Sequence, residues 1–211
     1  MASAEDTRGF VEASRPALEH LFQMLAEHMQ AATAQLSEIQ RRGDLVDSEF
    51  LHDGQYSDQA NHYYGQWIER RQKLAHLSRI IASRPLSWHR PSTAQIDATM
   101  TSIGIIAGAI LQIAKQALSY RWGNKSAIAV TTARTVFSQP ITEVIWEGRN
   151  HAMHWEGGPG HTNVKKMMAT LEADSGWSLP SGENHSPFLL DALNWHDVDV
   201  VINDLLKLVD P

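Results

Sequence analysis

"ATMTSIGIIAGAILQIA", residues 98 to 114, is the most apolar stretch of the chain and lies between Asp97 and Lys115. A membrane-spanning helix takes about 20 predominantly apolar residues. This run is shorter and includes Thr, Ser, Gly and Gln, so it reads as a central core helix with no membrane span. Everything else has to be arranged around such a helix, and the flanking sequence is helical too. From Ser14 to Gly43, Leu21, Leu25, Met29, Ala32, Leu36 and Ile39 recur at intervals of three and four, the pattern of an amphipathic helix. A second helix is expected at about 58–83 from Tyr63, Trp67, Leu74, Leu77 and Ile81. The two prolines of "SRPLSWHRPS" end it. Ser92 with Gln95 reads as a capping box that opens the apolar helix, which should end near Trp122–Asn124.

Beyond it a short helix is expected at 126–137, with "AIAVTT" as an alternative strand that lacks an alternating partner. Ser138 and Pro140 then open a helix at about 139–156, which "GGPG" (157–160) stops. A small helix at 162–173 and a Gly/Ser/Pro/Asn loop follow. A helix at about 197–209 closes the chain, with Val198, Val201, Ile202, Leu205 and Val209 on one side. Helices joined mostly by short connections read as an all-α antiparallel bundle. At 211 residues, 1–211 is expected to be a single domain. There are no cysteines, which removes disulfides, thiolate metal sites and cysteine nucleophiles. The opening "MASAEDTRGFVEAS" lacks a basic segment followed by an apolar one, so a cytoplasmic location is the expectation.

The formal charge of -6 hides a segregation. From Arg70 to Thr142 the chain carries Arg70, Arg71, Lys73, Arg79, Arg84, Arg90, Lys115, Arg121, Lys125 and Arg134 against one acid, Asp97. Such asymmetry fits a surface that meets a polyanion, or else a basic middle that pairs with acidic ends inside the fold.

The expected helix at 139–156 contains "IWEGRNHAMHWEGG", where arginine, asparagine and two histidines stand where a solvated helix usually has Lys and Glu. At about 100° per residue, Ile141, Val144, Ile145, Gly148, Ala152 and Trp155 share one arc that faces the core. Glu143, Glu147, Asn150 and His154 form a stripe pointing away from it. Arg149, Trp146 and Met153 lie at its edge, and His151 borders the core. Three readings remain open at this level. The stripe is a satisfied polar face. Or Glu147, His151 and His154 hold a metal with a further ligand such as Glu19, His20, Glu27 or His28. Or it performs proton transfer and anion binding, His154 titrating near neutral pH and Arg149 forking onto phosphate oxygens. No nucleophile follows Thr142 on the helix, which suits RNA, whose 2′-hydroxyl can attack its own phosphate.

"RNHAMH" (149–154) resembles the R-x4-6-H motif of HEPN domains, with a polar residue directly after the arginine. The resemblance covers the motif helix and the all-helical setting. It implies a metal-independent endoribonuclease without a cofactor, in which Arg149, Asn150 and His154 are catalytic; beside them the Glu147 carboxylate reads as supporting, and His151 as a packing or supporting residue. It further implies a homodimer with a composite active site over RNA, 2′-hydroxyl attack leaving a 2′,3′-cyclic phosphate, and a role as a toxin or in phage defence. A nucleotidyltransferase-like antitoxin is then a possible partner. Lys165 and Lys166, just beyond the glycine loop, are candidate RNA contacts. A non-catalytic HEPN-like nucleotide- or partner-binding scaffold and a helical-bundle metalloprotein are the alternatives.

Overall fold

The computed structural model describes residues 1–43, 93–128, 134–157, 161–177, 179 and 182–210. The helix expected at 58–83, the loop after Gly43, both prolines of "SRPLSWHRPS", the Ser92 cap and "ERRQK" (69–73) lie outside the described residues. The fold is all-α, with one two-stranded hairpin among the described residues. Two compact units are formed, Met1–Leu25 with Gly104–Pro211, and Ala26–Ile103. The motif helix and all its neighbours described below belong to the first.

Helix α1, Ala4–Ala13, stands ahead of the first helix expected from the periodicity. Ser3 caps it: its hydroxyl accepts from the Asp6 amide (3.0 Å), and the Asp6 carboxylate accepts in return from the Ser3 amide (3.3 Å). Ser14 separates α1 from α2, Arg15–Gly43, which has the extent that the leucine spacing implies. The apolar run forms α3, Thr93–Trp122. By length and composition alone Asp97–Trp122 would suffice to cross a membrane. In this fold Ile106, Ala107, Ile110, Leu111, Ala114 and Leu118 of that stretch are buried. Gly123 ends α3 at a φ of 76°, a left-handed conformation that a side chain would strain, while its amide bonds to Ser119 O at 2.8 Å. The turn delivers the one-turn helix α4, Lys125–Ile128.

Of the helix expected at 126–137, residues 126–128 lie in α4, 129–133 fall outside the described residues, and 135–137 belong instead to a hairpin. After α4, Thr135–Val136 (β1) and Gln139–Pro140 (β2) make an antiparallel hairpin with Val136 opposite Gln139. Phe137 turns the chain at a φ of 51°. No Asn-Gly or Gly-rich signal marks this turn in the sequence. Its support comes from α6, Thr162–Ser175: Asp174 accepts from the Ser138 amide (3.1 Å) and hydroxyl (2.5 Å). Gln139 Nε2 also donates to Met167 O at 2.8 Å. Ser138 therefore belongs to the turn, and Pro140 caps α5, Ile141–His154, without a side-chain hydrogen bond. One 3-10 turn, Trp155–Gly157, finishes that segment.

Helix α7, Ser186–Ala192, lies downstream of the loop, where the periodicity predicts no helix; Pro187 in its first turn is the local signal for it. Helix α8, Val198–Val209, closes the chain, with the Asp197 carboxylate accepting from the Val200 amide at 3.0 Å.

Helices α3 and α5 run antiparallel, and their close approach rests on small residues. A Cβ on Gly108 would come within 2.9 Å of the Ala152 Cβ, and one on Gly148 within 2.8 Å of Leu189 and 3.6 Å of Leu111. Removing those side chains lets the two backbones close in. That in turn brings Gln112 to Arg149 and Lys115 to Trp146.

Candidate active site

On α5 the arc that faces the core is as the helical wheel lays it out: Ile141, Val144, Ile145 and Gly148 are buried, with Ala152 and Trp155 half-buried. The polar stripe is less uniform. Glu147, placed on the outward side by its position on α5, is only 3% exposed. The wheel registers only the helix's own apolar face, and the cover comes from elsewhere. Lys125 on α4 reaches across, its Nζ 2.5 Å from Glu147 Oε1 and 2.7 Å from Glu143 Oε1. Burial opposes the charge on Lys125, but its hydrogen bonds to Glu143 and Glu147 outweigh that penalty and hold its pKa above the ordinary lysine value.

A chain of oriented hydrogen bonds begins at this pair. An ionised carboxylate only accepts. Glu147 Oε2 therefore draws the Asn150 amide nitrogen toward it (3.1 Å), leaving Asn150 Oδ1 to accept from Arg149 Nη1 at 3.4 Å. Arg149 Nε donates to Gln112 Oε1 on α3, and Gln112 Nε2 donates onward to Gln116 at 3.0 Å. Arg149 and Asn150, both half-buried, are thus held together by a path that starts at Lys125.

The two histidines of the strip have different fates. His151 turns toward α7: its Nε2 accepts from the His185 amide at 3.0 Å and its ring stacks on the His185 ring, centroids 5.4 Å apart. Burial, then the neighbouring His185 charge, push the His151 pKa down to about 4, against a smaller opposing effect from a hydrogen bond with the Glu183 backbone. His154 is exposed and meets the His161 ring edge-on at 6.2 Å. Met153 beside it is 57% exposed. Lys165 and Lys166 are exposed on α6.

The structure therefore joins Arg149, Asn150 and Glu147 into one network and directs His151 elsewhere. Glu147, His151 and His154 do not converge as the metal reading requires, because the first is engaged by Lys125 and Asn150 and the second by the segment ahead of α7. Among the described residues no group of three or more His, Asp or Glu is placed to hold a metal ion. Sequence reasoning did not connect Lys125 or Gln112 with the strip. Both come from other elements, and the only local hint is the Gly123–Asn124 turn that aims Lys125.

Among the described residues, Arg121, Lys125 and Arg134 of the segregated basic segment are engaged by groups of the fold itself. Arg134 pairs with Asp204, which also accepts from Trp195 Nε1 at 2.8 Å. Arg121 donates to Val209 O (2.9 Å) and Ala2 O (3.3 Å). Lys125 is paired, and Lys115 lies over Trp146. Arg70, Arg71, Lys73, Arg79, Arg84 and Arg90 fall outside the described residues.

Fold and site together define an all-α protein whose late helix presents an ordered Lys–Glu–Asn–Arg chain next to an exposed histidine. No family model, curated protein or solved structure matches the chain.

Proposed function

We propose that the chain is a metal-independent endoribonuclease of the HEPN type. The observation that carries this reading is the hydrogen-bond path Glu147–Asn150–Arg149, which holds the guanidinium of the R-x4-H motif in place with His154 exposed on the same helix. In the reaction the RNA 2′-oxygen attacks its adjacent phosphorus, and the P–O5′ bond breaks. The 2′-hydroxyl proton is taken up, the departing 5′-oxygen is protonated, and a 2′,3′-cyclic phosphate remains. His154 moves these protons. Arg149 stabilises the extra charge on the phosphorane-like transition state. A second copy of the chain faces the first, so that each strip completes the other. Lys165 and Lys166 extend the contact with the RNA backbone. A toxin or phage-defence role in the cytoplasm, with a nucleotidyltransferase-like antitoxin, belongs to the same proposal.

A specific observation supports a second reading. Among the described residues His154 has no hydrogen bond to orient its ring, which suits a helical module that binds a nucleotide or a partner without cleaving. Cleavage of an RNA pool in EDTA separates the two. Native protein should leave cyclic-phosphate ends, and Arg149→Ala and His154→Ala should each slow cleavage by about 10²–10³-fold. Undiminished cleavage by either variant overturns the assignment of that residue. Absence of cleavage with intact RNA binding favours the second reading.

A further inference from the structure

Lys115 on α3 has an environment that its helix does not explain. Its Nζ lies 4.5 Å above the Trp146 ring, one turn of α5 before Arg149. Lys115 itself stands one turn of α3 after Gln112, the residue that receives Arg149 Nε. Antiparallel packing therefore sets the ammonium close enough to the guanidinium for the two charges to interact. Neither cation has a carboxylate partner among the described residues. A tryptophan face attracts a cation through its quadrupole but does not cancel its charge. Burial, then the Arg149 charge, lower the pKa of Lys115. Two like charges held together repel, and the arrangement is relieved when an anion bridges them.

We infer that Lys115 and Arg149 form a two-cation seat for a backbone phosphate of single-stranded RNA, with Trp146 holding Lys115 in position. The inference rests on the ribonuclease reading for the identity of the polyanion; the seat itself rests on the placement of Lys115 over Trp146 and of Arg149 against Gln112. The division of labour follows from the chemistry of the heads. The planar guanidinium is fixed by Gln112 and Asn150 and supplies direction. The ammonium is a point charge on a flexible stem, and it supplies attraction without sequence preference. Trp146 is a positioning residue that acts through Lys115.

The test uses the full-length chain in a His154→Ala background, so that binding is read without cleavage. A short fluorescein-labelled single-stranded RNA is titrated by anisotropy at several salt concentrations. Lys115→Ala should weaken binding about tenfold and lower the slope of log K against log salt by about 0.7–1, as expected when one phosphate is no longer neutralised. Lys115→Arg should stay within about twofold, because the charge is kept. Trp146→Phe should retain more affinity than Trp146→Leu, since only the former keeps a ring face for the cation. Thermal melting of each variant establishes that it is folded. An unchanged affinity and salt slope in folded Lys115→Ala overturns the seat. The ribonuclease reading fails by a different result, absence of cleavage of an RNA pool by the native protein, and Lys115-dependent RNA binding would survive that failure.

Discussion

Lys115 and Lys125 meet the same face of α5 from α3 and α4, yet their surroundings are opposite. Lys125 stands between the carboxylates of Glu143 and Glu147, and its pKa is raised. Lys115 stands over Trp146 next to Arg149, and its pKa is lowered. One end of the strip is thus neutralised and serves to orient Asn150 and Arg149, while the other has no carboxylate partner among the described residues. A helix surface that reads as one polar stripe is divided into a half paired with Lys125 and a half that meets Lys115 and Gln112. Which half a residue joins is decided by the neighbour that reaches it.

The strongest way to break the contrast is Glu147→Lys. It puts a second cation into a site that is only 3% exposed and already holds Lys125. An unpaired buried charge costs about 3–5 kcal/mol, so chemical denaturation should show a large loss of stability, or the chain should fail to fold. A variant as stable as the native protein would mean that Glu147 is not enclosed in solution.

A second contrast, between His151 and His154, is sharpened by pH. The folded-state pKa of His151 lies near 4, below its ordinary value of 6.5, so folding favours the neutral ring. Its contribution is intact above about pH 6.5 and is lost as pH falls toward 4. The full loss is about 3 kcal/mol at the acid end. Melting temperature should therefore decline across that window, and more steeply than in His151→Gln. Equal acid sensitivity in the two proteins would assign the effect to other groups.

Lys125→Ala and Lys115→Ala set the two lysines directly against each other. The first leaves the Glu147 carboxylate without its cation and should cost about 2 kcal/mol. The second removes a half-buried side chain with no ion pair among the described residues and should change stability by about 0.5 kcal/mol or less. RNA affinity should respond in the opposite order, and a stability loss in Lys115→Ala as large as in Lys125→Ala would erase the distinction. The smallest effect is expected at Arg15→Ala. Its ion pair with Asp199 (2.5 Å) is solvent-exposed, so the melting midpoint should not shift resolvably.

Much of the helical framework was legible because it depends on short-range patterns. The leucine spacing of α2, the apolar run of α3 and the closing segment of α8 all fall close to their expected bounds. The core arc of α5 follows from 3.6-residue periodicity alone. The misses have separate causes. The hairpin at 135–140 has no glycine at its turn and is secured by Asp174 and Met167, some 30 residues on. Helix α7 is mostly apolar and short enough to pass for the end of a loop. Helix α1 is marked by Ser3 and Asp6, a capping pair with aspartate in place of the usual Glu or Gln.

By itself, then, the sequence determined an all-α chain, a late helix with one apolar arc, and Arg149, Asn150 and His154 as the residues to watch on it. Periodicity and caps are properties of neighbours along the chain, so one dimension carries them. Tertiary structure alone decided that Glu147 is enclosed by Lys125, that His151 joins His185, and that Lys115 lies over Trp146 near Arg149 with no acid beside it among the described residues. Charge and burial depend on what approaches through space, and those partners come from α4, the segment before α7, and α3, across a crossing that Gly108 and Gly148 make possible.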